Sequence, residues 1–481
     1  MISLRVSNSP KHCFRCWSFL LLLLGAPVAA TASDQLTLSV SPARNVLKAG
    51  EKHNEWIRVG LKGFTLDSDK KRPGVNLAIV LDKSGSMRGE KIRRAQEAAI
   101  DAIGLLQPTD IVSILTYDST VHVLVPATKL TDKLEIIDRI RSIGADGNTA
   151  LFAGVSKGAA EVRKFLDKER VNRVILLSDG MANVGPSSPG ELGNLGKSLI
   201  KENITVSTLG LGLGYNEDLM VQLAGSSGGN HLFIEDAAEL ADVFRNEFND
   251  ALSVVAQEIE IRVNLPEGIR PIRVLGSDAD ITGQKIVTQL AQVYSDQDRY
   301  LAVEIEVPAS EEATRLDLAT VSVTYANMKT HEQDKLSATA KCEFSTDEKQ
   351  VSESVNSAVM ADVVLLVSSE QSKLATMYLD QGNLEMCRQC LEGNVKYLRL
   401  EAMKCPENSD KLMYYATQNA TQLFDLKCAE TTGDKDATSR FRKSLRGYQI
   451  GADTQQRLEV SLPEPGQQSQ RPSDPSQVNN P

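Results

Sequence analysis

Apolar positions along the chain change their period several times, and each change predicts a different kind of structure. Leu36, Leu38 and Val40 alternate with polar residues, as do Ile57, Val59 and Leu61. Period-two alternation predicts half-buried strands, here separated by the turn Lys48-Ala49-Gly50-Glu51. Two strands do not make a stable domain, so partners are expected further along. From about Gly74 strands and helices take turns. Leu77-Ala78-Ile79-Val80-Leu81 is an unbroken apolar run, the pattern of a strand covered on both faces of a parallel sheet. Residues 89–106 are amphipathic, with Ile92, Ala95, Ala99 and Ile103 on one stripe. A strand at 111–115 returns as a hairpin through Val121, Val123 and Val125. Helices are expected at 132–143, 150–166 and 189–201, strands at 171–177 and 204–209, then helix, strand, helix at 219–224, 231–234 and 237–255. This rhythm predicts a doubly wound, mostly parallel α/β sheet.

From about Gln257 alternating strands come back, at 258–263, 301–307 and 318–325. Short strands at this spacing predict a β-sandwich. The sandwich is expected to recruit the two orphan N-terminal strands, which makes the α/β unit an insertion. Beyond Val351 the chain turns helical: Val355, Val359, Val363 and Val367 fall at four-residue steps. Asp380-Gln381-Gly382-Asn383 separates helical runs at 371–379 and 384–400, as in an αα-hairpin, and a third helix is expected at 410–426. Arg440, Arg442, Lys443 and Arg446 form a basic patch, expected to be a solvated helix face. The final stretch is rich in Gln, Pro and Ser and is expected to be disordered. The predicted segments are 1–32 (leader), 33–73 (sandwich strands), 74–255 (α/β domain), 256–349 (β-sandwich), 350–449 (helical region) and 450–481 (tail).

Composition adds the compartment. Arg5, Lys11 and Arg15 precede the apolar run 19–24, no acidic residue occurs before Asp34, and Ala30-Thr31-Ala32 is a small-x-small signal. These are the parts of a cleaved secretory leader, so the chain is expected to be exported: periplasmic, in the cell envelope or secreted. No later apolar stretch is long enough for a bilayer span. The formal charge of −10 drops by three more when the leader's basic residues are removed. An acidic chain with 5% aromatics argues against nucleic acid as a partner. Cys13 and Cys16 lie in the leader, leaving Cys342, Cys387, Cys390, Cys405 and Cys428. Cys387 and Cys390 have redox-motif spacing, but they sit mid-helix by pattern, which favours packing or a local disulfide.

Chemistry gathers where the apolar run ends, in Asp82-Lys83-Ser84-Gly85-Ser86. Asp and Ser are hard oxygen donors, suited to Mg²⁺, Mn²⁺ or Ca²⁺. Strand ends are also where open α/β sheets bind ligands. Two further loops supply oxygens: Thr149, after the Gly-rich stretch 144–149, and Asp179, after the strand at 171–177. Hydroxyl ligands leave an ion much of its charge, and the two carboxylates can stand behind them and hold its waters. Such an ion would seek an external carboxylate. Other signals are weaker. Gly210-Leu211-Gly212-Leu213-Gly214 lacks the third-glycine register of a dinucleotide fingerprint. His12, His53, His122, His231 and His331 are scattered without zinc-ligand spacing, and none pairs with Ser86 or Ser178 in an evident triad.

Asp82-x-Ser84-x-Ser86, Thr149 and Asp179 resemble, in order and spacing, the metal-ion-dependent adhesion site of von Willebrand factor type A domains. The resemblance covers about residues 74–255. The whole chain looks like exported, mostly bacterial proteins with such a domain, and is loosely similar to inter-α-trypsin inhibitor heavy chains. It implies Mg²⁺ (with Mn²⁺ or Ca²⁺ as alternatives) bound through Asp82, Ser84, Ser86, Thr149 and Asp179. It also implies a protein ligand offering an acidic side chain, and no catalysis. The alternative is an envelope scaffold or assembly factor that recognises partners through its helical C-terminal region, the metal serving stability alone.

Overall fold

The computed structural model describes residues 34–66 and 72–455. The expected leader and most of the expected tail lie outside the described residues. The chain opens with β1 (Thr37–Pro42), β2 (Val46–Lys48) and β3 (His53–Lys62). It then builds the α/β unit from β4 (Gly74–Asp82), α1 (Glu90–Leu105), β5 (Ile111–Tyr117), β6 (Val121–Lys129), α2 (Lys133–Arg141), α3 (Leu151–Arg163), β7 (Arg170–Ser178), α4 (Pro189–Ile200), β8 (Thr205–Leu211), α5 (Glu217–Ser227), β9 (His231–Ile234) and α6 (Leu240–Leu252). The sheet order is β6-β5-β4-β7-β8-β9. Every pairing is parallel except the β5–β6 hairpin, as the apolar rhythm predicts.

Alternation along β4 fills two cores. Leu77, Ile79 and Leu81 face a cluster with α1, α2 and α6. Ala78 and Val80 face the opposite cluster with α3, α4 and α5. On that second face α3 lies very close to the sheet. A β-carbon on Gly158 would come within 2.7 Å of Val80 Cγ2, and one on Gly154 within 3.0 Å of the Tyr117 ring. Glycine at both positions lets the helix settle there, which fixes the loop before it against the end of β4.

The remaining strands are β10 (Val254–Asn264), β11 (Arg270–Leu275), β12 (Ala279–Thr282), β13 (Lys285–Tyr294), β14 (Asp298–Val307), β15 (Arg315–Asn327) and β16 (Gln333–Ser345). They form two sheets over one core, ordered β1-β3-β14-β11 and β12-β13-β10-β15-β16-β2. β3 is paired on both sides, with β1 and β14. The α/β unit is therefore inserted between β3 and β10 of a sandwich, and the orphan strands have found their partners. A fully buried ion pair, Arg173 Nη1 to Glu247 Oε1 at 2.7 Å, joins β7 to α6. Arg173 also reaches Gln292 and the Tyr294 hydroxyl on β13, tying the α/β sheet to the sandwich.

The C-terminal region comprises α7 (Glu348–Glu353), α8 (Ser357–Asp380), α9 (Leu384–Lys404), α10 (Ser409–Thr432) and α11 (Lys435–Thr454). The two runs expected before the 381–383 turn merge into the single helix α8. The paired cysteines lie on α9. Cys387 is buried beside Leu391, Leu426 and Phe441, and burial pushes its thiol up to about 12. That makes it a packing residue rather than a redox thiolate.

Two expectations for the end of this region are corrected. α11 continues through residues 451–454 because Asp453 accepts from Ser369 Oγ and pairs with Lys373, while Thr454 O accepts from Gln297. The basic patch is not a solvated face. Lys443 is buried, with Nζ 2.6 Å from Glu217 Oε2 and 2.9 Å from Tyr215 O. Arg442 and Arg446 bond Asp218 and Asp380. α11 is thus clamped onto the start of α5.

His231, on β9, is 4% exposed. Its Nδ1 lies 2.9 Å from Thr208 Oγ1, and its Nε2 lies 3.4 Å from the Tyr215 hydroxyl. Burial, then the charge of Lys443, pushes its pKa down to about 3. On acidification the unfolded chain therefore takes up this proton first. The contribution is complete above about pH 6.5 and is lost progressively toward about pH 3, amounting to roughly 5 kcal/mol. In urea unfolding across that window, His231→Gln should show a shallower loss of stability than the wild type.

Candidate metal-binding site

The site is built from the loops that follow β4 and β7 and from the Gly-rich loop before α3, which packs against the end of β5. β4 ends at Asp82, whose side chain is fully buried. The chain then turns sharply: Asp82 Oδ1 accepts from Ser84 N at 2.8 Å, an Asx turn. Asp82 Oδ2 accepts from Ser178 Oγ at 2.8 Å. The turn is locked to the Gly-rich loop by Gly85 N to Gly147 O at 3.0 Å and Asp146 N to Lys83 O at 2.7 Å. Lys83 pairs with Asp118 at the end of β5, and Asp118 O accepts from Ala150 N at 2.8 Å. Thr149 is held on the other side as well, its N donating to Asn183 Oδ1 at 2.9 Å.

All five expected residues are brought together. Ser84 Oγ and Ser86 Oγ are 3.0 Å apart, and Ser86 Oγ donates to Asp179 Oδ1 at 2.6 Å. A β-carbon on Gly180 would lie 3.1 Å from Thr149 Oγ1, 3.4 Å from Ser86 Oγ and 3.9 Å from Ser84 Oγ. The absent side chain of Gly180 thus marks a space that three hydroxyls surround. It opens into a cleft of about 380 Å³ with Met181, Asn148 and Lys91 on its walls.

Electrostatics favour a cation. Two carboxylates, Asp82 and Asp179, stand behind the hydroxyls, both almost completely buried. Burial raises the Asp82 pKa most; the bonds from Ser84 and Ser178 oppose that rise, and the nearby Asp179 charge adds to it. No cation is among the hydrogen-bond partners of Asp82, so its ionised form is unfavourable until one is supplied. Asp179 pairs with Lys91, Nζ to Oδ2 2.6 Å. Among the described residues no cluster of three or more His, Cys, Asp or Glu side chains is arranged to hold a metal. The donors here are carboxylate and hydroxyl oxygens, which fit a hard divalent ion and leave it coordination positions to fill from outside.

The sequence did not point to Lys91, Ser178, Asn183 or Gly180. Ser178 and Gly180 flank Asp179 in Ser-Asp-Gly, so they stand in the motif without an assigned part. Lys91 and Asn183 act across 88 and 34 residues and carry no spacing that would betray them. Gly214, from the glycine-rich stretch after β8, lines the same cleft. That stretch is a βα turn leading to α5, with no role in dinucleotide binding suggested by its geometry.

The von Willebrand factor type A domain model matches residues 76–246. Uncharacterized protein YfbK of Escherichia coli (strain K12) is 30% identical over 225 residues, covering 46% of this chain and 39% of that protein. Inter alpha-trypsin inhibitor, heavy chain 4, of Mus musculus is 29% identical over 195 residues, covering 38% of this chain and 21% of that protein. The chain therefore spans less than half the length of either relative. Among solved structures, a von Willebrand factor type A protein from Catenulispora acidiphila superposes with a TM-score of 0.62 over 80% of this chain and 90% of that one, at 14% identity. That likeness is one of fold and extends well beyond the α/β unit. With a domain model that matches residues 76–246 and relatives that share the region, this part of the chain, though not the chain as a whole, is assigned to the von Willebrand factor type A domains.

Proposed function

We propose that the chain is an exported, non-enzymatic protein that binds a partner protein through a divalent ion, Mg²⁺ by preference. The ion would be held by Ser84, Ser86 and Thr149, with Asp82 and Asp179 behind them, and completed by a carboxylate of the partner. The observation that carries this reading is the convergence of three hydroxyls on one space backed by two buried carboxylates. When bound, the ion supplies an electrophilic point that a carboxylate oxygen can occupy. The protein's own part is to hold the hydroxyls in place through the Asx turn at Asp82 and the loop bonds at Gly85, Asp146 and Thr149. The export signal lies in residues 1–32, and among the described residues no helix is long and apolar enough to cross a membrane.

Two tests follow. The full chain should retain its partner in pull-downs with Mg²⁺ and release it with EDTA, and Asp82→Ala should not retain it at all. Retention unaffected by both changes would refute the reading. Gly180→Ala places a methyl group into the space among the hydroxyls. It should weaken Mn²⁺ binding by about tenfold while leaving the thermal unfolding midpoint in EDTA unchanged.

A further inference from the structure

Lys91 is the second residue of α1. A helix N-terminus carries positive potential and disfavours a cation, so the position calls for a counter-charge. Asp179 supplies it at 2.6 Å, from a carboxylate whose side chain is 0% exposed against 36% for the lysine. A β-carbon on Gly212 would lie 3.7 Å from Lys91 Nζ, so the ammonium is held between Asp179 and the β8–α5 turn. Among the described residues lining the cleft, Lys91 is the one basic side chain. The neighbouring cations are engaged elsewhere, Lys83 with Asp118 and Arg88 with Asp146.

Charge counting then gives Lys91 a role. Asp82 and Asp179 with a divalent ion sum to neutrality. With the Lys91 ammonium added, the loaded cleft keeps one net positive charge, which a single incoming carboxylate would neutralise. Resting on the metal-site reading above, we infer that Lys91 is a tethered cation of the cleft that weakens its hold on the ion and strengthens its hold on the ligand's carboxylate. The ammonium competes with the ion for Asp179 and, once the ion is in place, adds to the attraction felt by an anion entering the cleft.

The experiment is a calorimetric titration of the full chain with Mn²⁺, in sodium chloride and in sodium acetate of equal ionic strength. Lys91→Met should bind Mn²⁺ about tenfold more tightly than the wild type in chloride, an effect moderated by the lysine's partial exposure. Acetate should raise the apparent Mn²⁺ affinity of the wild type, because ligands that favour each other's bound state are reciprocally coupled. In Lys91→Met that enhancement should shrink by about threefold, and Lys91→Arg should behave like the wild type in both solutions. Mn²⁺ affinity that is unchanged or weaker in Lys91→Met, or an undiminished acetate effect, overturns the inference while leaving the metal site standing. A wild type that takes up no Mn²⁺, or uptake that persists in Asp82→Asn, overturns the metal-site reading and the inference with it.

Discussion

Asp82→Asn is expected to weaken divalent-ion binding by about 100-fold while making the ion-free chain more stable. Both effects have one cause. Asp82 is a buried carboxylate at a strand end, satisfied by Ser84 N and Ser178 Oγ but bonded to no cation. Its pKa is raised in the folded state, so the folded chain takes up this proton before the unfolded chain does. The favourable contribution is present at acid pH and is lost as pH rises through the carboxylate range. At neutral pH the ionised group therefore opposes folding. Asparagine keeps the shape, accepts from Ser84 N through its oxygen and turns its amide toward Ser178, without the charge. A gain on the order of 1 kcal/mol in EDTA is expected, as when a functional group's strain is removed. Mg²⁺ should raise the unfolding midpoint of the wild type in proportion to site occupancy and leave Asp82→Asn unmoved. A variant that is less stable in EDTA and still responds to Mg²⁺ would show that Asp82 is a turn-forming residue alone.

Lys443→Met is expected to destabilise the chain by about 3 kcal/mol, the scale for removing one member of a buried ion pair. The ammonium is completely buried, bonds Glu217 and Tyr215 O, and lies 3.8 Å above the Tyr215 ring centre. Burial pulls its pKa down, so the pair carries a desolvation cost that the close contacts must offset. Methionine fills a similar volume but leaves Glu217 with Arg442 as its remaining ion-pair partner, at 3.0 Å. Urea unfolding should show the loss, and hydrogen exchange should be fastest along α11, where the clamp is broken. Adding Glu217→Gln should restore part of the stability, because the buried carboxylate that has lost one of its two cations is then neutral. Failure of the second substitution to recover anything would mean that the helix is held by its apolar contacts, such as Phe441 and Leu445.

Much of this arrangement is legible in the sequence because it depends on local pattern. The strand Leu77–Leu81 reveals itself by an unbroken apolar run, and its buried faces confirm why. The orphan strands around Leu38 and Val59 imply a sandwich because half-buried strands need a second layer. Asp82, Ser84, Ser86 and Asp179 stand out because strand ends are where side chains leave the sheet, and Thr149 because it closes a Gly-rich stretch before a helix. What is illegible depends on partners distant in sequence. A helix face bearing Arg440, Arg442, Lys443 and Arg446 reads the same whether water or acidic residues cover it. Here Glu217, Asp218 and Asp380 do so, from segments far upstream. The end of α11 is hidden in a polar composition, since residues 451–454 are held by contacts with α8 and the sandwich rather than by their own apolar pattern. Lys91 looks like any lysine in the first turn of an amphipathic helix until the fold places Asp179 beside it.

In the proposed site, three hydroxyls and two buried carboxylates hold one divalent ion. Titrating the full chain with Mn²⁺ and counting bound ions by electron paramagnetic resonance tests it most directly, with Thr149→Ala as the partner measurement. Thr149 Oγ1 bonds no other side chain of the cluster, so its removal leaves the Asp82 turn and the Ser86–Asp179 bond in place. One bound ion per chain is expected, displaced by Mg²⁺ and lost in Thr149→Ala. A chain that binds no ion, or one whose binding is indifferent to Thr149, would contradict it.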